Sequence, residues 1–229
     1  METLLDNPVY NALITGDASL SKGESVVKYF DEAVSPFAGF PIGYQESFND
    51  LYHQLPPGRR ILYASINEIE VPEKWQVAAY ITGSQFVFDD LTYSVQSSQI
   101  PVPLTNEHAA EMVALAALAK PGPFNLRTID FGYYFGFFEN GKLVAMTGQR
   151  LHPGNYAEVS AVCTHPDHLG KGYATALLQH QLSLICKQGK IPFLHVRADN
   201  ERAIGVYERL GFRLRGPMHF YFMKSKKTD

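Results

Sequence analysis

The apolar positions of this chain change period several times, and each change marks an element. Asn7-Pro8 followed by apolar Val9, Ala12 and Leu13 reads as a helix with an asparagine cap and a proline at its first position, closed at Gly16. Pro36 and Pro41 interrupt the pattern. A second short helix is expected over residues 46–53, ended by Pro56-Pro57-Gly58. Two strands come next, 61–65 and 75–88, the second bent or split at Gly83. From residue 98 the pattern becomes regular. Residues 100–104 read as a strand, and Thr105 caps a helix to Lys120 with Met112, Leu115, Ala116 and Leu118 at helical spacing. Pro121-Gly122-Pro123 stops it. Residues 133–138 and 142–151 form a hairpin across Glu139-Asn140-Gly141, and 157–164 supply a third strand. Gly170-Lys171-Gly172 opens a helix whose Ala174, Leu177, Leu178, Leu182 and Ile185 share one face, with Gly189 at its end. A strand over 192–197, a helix over 200–210 closed by Gly211, and a pair of strands over 212–223 complete the chain. Strands outnumber helices and the middle is antiparallel, which predicts a mixed-sheet α/β domain rather than a doubly wound parallel one.

The 229 residues leave room for one large core or two small ones. Twenty Lys and Arg against 23 Asp and Glu give a net charge of −3, so a broad grip on nucleic acid is excluded and any phosphate recognition is local. With 45% hydrophobic and only 19% charged residues the chain builds a core. Cys163 and Cys186 share no CxxC spacing and read as buried free thiols, with neither a disulfide framework nor a metal site expected. The first eight residues lack the basic and apolar regions of a secretory leader, and no apolar run approaches the ~20 residues of a membrane span. The expectation is a soluble cytoplasmic protein with no membrane or nucleic-acid partner.

The chemistry concentrates in two segments. In Thr164-His165-Pro166-Asp167-His168-Leu169-Gly170-Lys171-Gly172-Tyr173-Ala174 a strand runs through a glycine-bearing loop into a helix whose first N–H groups have no intrahelical partner. Gly170 and Gly172 let main chain approach an anion without Cβ interference, and Lys171 adds charge. A P-loop is excluded by His165 and Gly172, and the dinucleotide fingerprint by the missing third glycine. The second segment is Asn200-Glu201-Arg202-Ala203-Ile204-Gly205-Val206-Tyr207-Glu208-Arg209-Leu210-Gly211-Phe212. Asn200, Ala203 and Tyr207 fall close to one helical face, from which the phenol looks across at the first helix end.

Together these segments resemble the GNAT superfamily of acyl-CoA-dependent N-acyltransferases, whose pattern is Pro-x-x-(Arg/Gln)-Gly-x-Gly-x-(Ala/Gly), then Asn-x-x-Ala-x-x-x-Tyr-x-x-x-Gly-Phe. The resemblance covers residues 98–229. It is strongest to the glycine N-acyltransferase-like branch, and it leaves 1–97 as a smaller, motif-poor N-terminal α/β lobe, open to being a degenerate acyltransferase-like half. One position departs: Leu169 stands where the family commonly has Arg or Gln, which removes a side-chain contact to the pyrophosphate. The implied fold is a splayed, mostly antiparallel mixed sheet flanked by helices.

The resemblance implies attack of a primary amine on the thioester of acetyl-CoA, the acyl donor, without a metal. Such an amine, with a pKa of ~10.4, must lose a proton. Glu158 is the leading base, on a strand whose alternation places Glu158, Ser160, Val162 and Thr164 on one face and Cys163 on the other. A carboxylate buried in a cleft there has its pKa raised toward neutrality. His195, whose imidazole titrates near neutral pH, is the rival base. Tyr207 is the general acid for the leaving thiolate. Val162, Cys163 and Thr164 should pair through their backbone with pantetheine amides, Asn200 should hold the cofactor or a bridging water, and Gly170, Lys171, Gly172, Tyr173, Ala174 and Thr175 should receive the pyrophosphate. His165 and His168 read as structural or solvent-facing, and a cysteine nucleophile at Cys163 is disfavoured. Residues 218–222 and 121–130 are expected to line the amine side. Their apolar character fits a small-molecule amine or an amino acid better than a polycation. The competing readings are a protein or peptide amine acetyltransferase and a non-catalytic acyl-CoA-binding module. The sequence leaves the oligomeric state open.

Overall fold

The computed structural model describes residues 3–24, 26–93 and 99–226 of the chain. The predicted division between 97 and 98 lies outside the described residues. Asn7 precedes helix α1 (Pro8–Ile14), and short strands β1 (Ser21–Lys22), β2 (Lys28–Phe30) and β3 (Ala38–Gly39) form a small antiparallel sheet. Helix α2 (Ser47–Gln54) and strands β4 (Arg60–Ser65) and β5 (Trp75–Val87) come next, each close to its expected bounds. The short strand β6 (Val102–Pro103) precedes α3 (Ala109–Ala119), which is entered through a 3-10 turn. There the Thr105 N–H donates to His108 Nδ1 at 3.0 Å, closing a reciprocal cap. Strands β7 (Phe135–Glu139), β8 (Lys142–Gln149) and β9 (Tyr156–Thr164), helix α4 (Tyr173–Lys187), strand β10 (Ile191–Arg197), helix α5 (Glu201–Arg209) and strand β11 (Arg213–Ser225) complete the order.

Eight strands make one sheet in the order β4-β11-β5-β10-β9-β8-β7-β6. The β9–β10 pairing is parallel and the other named pairings in this sheet are antiparallel. The predicted terminal strand pair is instead one 13-residue strand, β11, with β4 and β5 from the first half of the chain on its two sides. A local hairpin is unnecessary because β5 already fills the place between β10 and β11. Nor does β5 break at Gly83. It continues there because a Cβ at that position would meet the Val196 carbonyl oxygen at 2.9 Å and the Phe220 ring at 2.8 Å, so glycine lets β10 and β11 close on it.

Helix α3 packs on β8 and β9 from one face, and α4 packs on β8, β9 and β10 from the other. The α3 side is filled jointly by Leu5, Val9, Leu13, Phe30 and Phe37 from the first half and by Tyr134, Met146, Leu151 and Phe193 from the second. Polar ties cross the same seam. The His152 ring meets buried Asp17 at 2.7 Å, and Arg215 pairs with Asp6. Among the described residues no helix is long and apolar enough to cross a membrane.

Candidate active site

A bulge in β9 sets the geometry of the site. Met146 pairs with Cys163 and Gly148 with Ser160, so β9 spends three residues where β8 spends two, and Ala161 takes a left-handed φ of 52°. The extra residue reverses the alternation beyond it. Ala157 and Val159 pack in the core beneath α4, joined by Val162, whereas Ala161 and Cys163 pack in the core on the α3 side. The expected single face of Glu158, Ser160, Val162 and Thr164 is therefore broken, and Cys163 shares the side of Glu158 rather than opposing it.

The parallel pairing of β9 with β10 covers only residues 156–158 against 191–193, and the strands diverge beyond it. The divergence opens a cleft of about 390 Å³ whose walls include Val162, Cys163, Thr164, Leu169, Ala174, Asn200 and Tyr207. Leu118, Ala119 and Arg202 line it as well and were not anticipated. Asn200 caps α5, its Oδ1 accepting from the Ala203 N–H at 3.2 Å, so one side chain both starts the helix and faces the cleft. The Tyr207 hydroxyl has no protein hydrogen-bond partner among the described residues. Burial pushes its pKa up to about 12, which keeps the phenol protonated at neutral pH. Burial also pushes the Cys163 thiol up to about 12, against a smaller opposing effect of the Met146 backbone, leaving a poor nucleophile.

Gly170, Lys171, Gly172, Tyr173 and Thr175 do not line that cleft; they form the turn that enters α4. Gly170 and Gly172 both have φ of 80°, and a Cβ on either would meet nothing within 4 Å, so the loop fronts open space. The first helical bond runs from the Ala176 N–H to the Gly172 carbonyl, leaving the amides of Tyr173, Ala174 and Thr175 without helical acceptors. Such a cradle fits a pyrophosphate. Lys171 is engaged elsewhere. Its Nζ donates to both Glu139 oxygens at 2.7 and 3.0 Å, and the Tyr173 hydroxyl and His168 converge on the same carboxylate. The Lys171, Tyr173 and His168 hydrogen bonds bring the Glu139 carboxyl down to about 2.

Glu158 and His195 meet on the other side of the sheet. Glu158 is 1% exposed; Arg150 grips it with Nε at 2.9 Å and Nη2 at 2.6 Å, and His195 Nδ1 lies 2.8 Å from Oε1. Burial alone would raise the carboxyl, but the Arg150 charge and the His195 and Arg150 hydrogen bonds outweigh it and bring its pKa down to about 2. The expected shift toward neutrality is reversed, because the sequence reading had no cation beside this glutamate. The tautomer of His195 is set by its neighbours. Gln85 Oε1 accepts from Arg215 at 2.9 Å and Gln85 Nε2 donates to the Leu5 carbonyl at 3.1 Å, so the remaining Nε2–H points at His195 Nε2, 3.0 Å away. His195 therefore accepts at Nε2 and donates from Nδ1 to Glu158.

His195 and Arg150 line a cavity of about 100 Å³ with Phe37, Leu62, Ile81 and Phe220. Pro121, Gly122, Pro123 and Phe222, from the two segments the sequence expectation put on the amine side, also line it, together with Phe37, Leu62 and Ile81 from the first half of the chain, which that expectation did not include. Gly122, Pro123 and Phe222 are shared with an adjoining chamber of about 430 Å³ walled by Val113, Ala116, Lys120 and Phe124. Among the described residues no group of three or more His, Cys, Asp or Glu side chains is placed to hold a metal ion.

A mixed sheet that splays beside a strand bulge, with a glycine turn and a helix N-terminus at one end, defines an acyltransferase scaffold. Comparison with known proteins agrees. The FR47-like protein family matches residues 134–222. Over 110 residues the chain is 30% identical to the N-alpha-acetyltransferase RimI of Mycobacterium tuberculosis, covering 46% of this chain and 68% of that protein. It is 33% identical over 88 residues to a mycothiol acetyltransferase of Mycolicibacterium gilvum, 35% of this chain but only 29% of that one. The crystal structure of a GNAT-family acetyltransferase from Novosphingobium aromaticivorans superposes with a TM-score of 0.91 at 30% identity, over 99% of this chain and 100% of that one. The chain belongs to the GNAT acetyltransferase family.

Proposed function

We propose that this protein transfers the acetyl group of acetyl-CoA to the primary amine of a small molecule or amino acid by direct attack of the nitrogen on the thioester. The observation that carries this reading is the Tyr207 phenol, held protonated in the cleft with no hydrogen-bond partner for its hydroxyl among the described residues. The diverging edge of β9 at residues 162–164 offers main chain to the pantetheine amides, and the turn at 170–175 offers N–H groups to the pyrophosphate. The new N–C bond forms as the thioester C–S bond breaks, Tyr207 donates its proton to the departing sulfur, and the surplus proton on the acylated nitrogen leaves to solvent, from which the phenolate is reprotonated. The buried, high-pKa Cys163 supports direct attack over an acyl-enzyme.

Proton removal from the amine is assigned differently from the sequence expectation. Both Glu158 oxygens are filled by Arg150 and His195, and His195 Nε2 already faces a donor from Gln85. Glu158 acts as a positioning carboxylate, and the amine enters as its free base, since Arg150 and Arg197 on the cavity disfavour an ammonium. The residues before 98 serve as an acceptor-selecting half in this reading, in keeping with the glycine N-acyltransferase-like branch. A lysine-rich protein acceptor is disfavoured because, among the described residues, no carboxylate lines either chamber.

The test is thiol release from acetyl-CoA over a panel of amines, read against pH. The rise of kcat/KM should track each acceptor's own pKa. A break at one fixed pH for every acceptor would return the base role to Glu158 or His195. Absence of any stabilisation by CoA would reject the acetyltransfer reading altogether.

A further inference from the structure

Arg150 is held in a way that leaves one edge of its guanidinium unspent. Nε and Nη2 both go to Glu158, and the flat face lies over the Phe37 ring with its carbon 4.9 Å from the centroid. Nη1 makes no hydrogen bond among the described residues, although the side chain is only 13% exposed and the residue lines the 100 Å³ cavity. A buried guanidinium with free donors is an anchor for an anion, because its fork geometry is fixed before the ligand arrives. The other charged groups facing these chambers are cations as well. Arg197 lines the cavity while paired with Asp199 at 2.9 and 2.7 Å, and Lys120 lines the adjoining chamber. Among the described residues no Asp or Glu lines either chamber.

From this we infer that the acceptor is an amino carboxylate, its carboxylate taken by Nη1 of Arg150 and its apolar side chain lodged in the adjoining chamber between Val113, Ala116 and Phe124. The inference rests on the N-acetyltransfer reading and gives it a substrate class. The small volume beside Arg150 accommodates an amine and a carboxylate separated by one or two carbons. The chamber beyond Gly122, Pro123 and Phe222 offers apolar surface to the side chain they carry. A bare amine gains nothing from Arg150 and meets only like charge. A peptide with a free amino terminus presents an amide carbonyl where the carboxylate should be, losing the charge-assisted hydrogen bond.

The experiment compares leucine, leucinamide and 3-methylbutylamine on the CoA-loaded protein, by calorimetric Kd and by thiol release from acetyl-CoA, at several pH values so that amine ionisation is accounted for. Leucine should bind about tenfold or more tightly than either neutral-tailed analogue. In the double variant Arg150→Met with Glu158→Leu, which leaves neither charge buried alone, the preference should shrink to within about threefold. Arg150→Lys, which keeps a cation against Glu158 but lacks the second fork, should lose it likewise. Leucinamide or 3-methylbutylamine binding as tightly as leucine to the unmodified protein overturns the inference, and so does a preference that survives both variants. Carboxylate-dependent binding without thiol release would uphold the anchor and reject the acetyltransfer reading; equal turnover of all three amines would do the reverse.

Discussion

The two halves of the site treat their polar groups in opposite ways. Along the cleft between β9 and α5 and at the turn into α4, the Tyr207 hydroxyl and the first helical amides are left without hydrogen-bond partners among the described residues. Around the cavity beside Arg150 nearly every ionic group is consumed: Asp6 holds Arg215, Arg215 holds Gln85, Gln85 holds His195, and His195 shares Glu158 with Arg150. The first half is arranged for a ligand to complete. The second completes itself, leaving one edge of Arg150. A substitution in the cleft should therefore remove function and leave the fold alone, whereas one in the ionic chain should damage both.

The largest effect expected from this contrast is at Arg150. Arg150→Ala strands a buried carboxylate and should lower the unfolding free energy by about 3–5 kcal/mol in urea titrations. Adding Glu158→Leu to an Arg150→Met background should recover most of that loss, which separates the cost of an unpaired charge from the cost of lost packing. Tyr207→Phe is the opposing case. Thiol release should fall about a hundredfold or more, equivalent to ~3 kcal/mol in the barrier, with Tm and the Kd of CoA close to those of the unmodified protein. A large drop in Tm would mean that the phenol has a structural partner and would remove the contrast.

How much of this was legible in the sequence depends on the distance over which each feature is encoded. The turn at 170–172, the α5 cap at Asn200 and the position of Tyr207 are local patterns, and they appear where expected. The bulge is not encoded by residue type, since Ala161 carries a positive φ without glycine to announce it. Nor does the sequence mark β5 as the neighbour of β10, because Gln85 and His195 lie on strands far apart in the chain and meet only once the sheet is assembled. Arg150 is the feature that could have been found. It and Glu158 are symmetric about Gly154, so an antiparallel register through that turn sets opposite charges side by side, as the Arg150 N–H to Glu158 carbonyl bond at 3.1 Å records.

Acid should sharpen the same contrast with a smaller effect. The folded-state carboxyl of Glu158, near 2, lies below that of an unfolded glutamate at about 4.3, so its contribution is complete above that value and disappears as pH falls toward 2. Glu158→Gln should flatten the dependence of unfolding free energy on pH across that window while lowering stability at neutral pH. A slope unchanged by the substitution would place the acid sensitivity in other carboxylates, Glu139 first among them.

The smallest effect belongs to the cleft. Leu169 lines it while 47% exposed, at the position where a charged or amide side chain is the commoner choice in the family. Leu169→Arg adds a cation beside the turn that receives the pyrophosphate in the proposed complex. At so open a position the gain is limited by solvent screening and by ordering a long side chain, to about 1 kcal/mol or less. That corresponds to roughly a three- to fivefold lower Kd for acetyl-CoA. The gain should fade as salt is raised, because the interaction is made across water. Thermal stability should not move, since the leucine it replaces is half in solvent. An unchanged Kd at low salt would mean that the phosphates lie away from this wall, and that the main-chain groups at the start of α4 hold them alone.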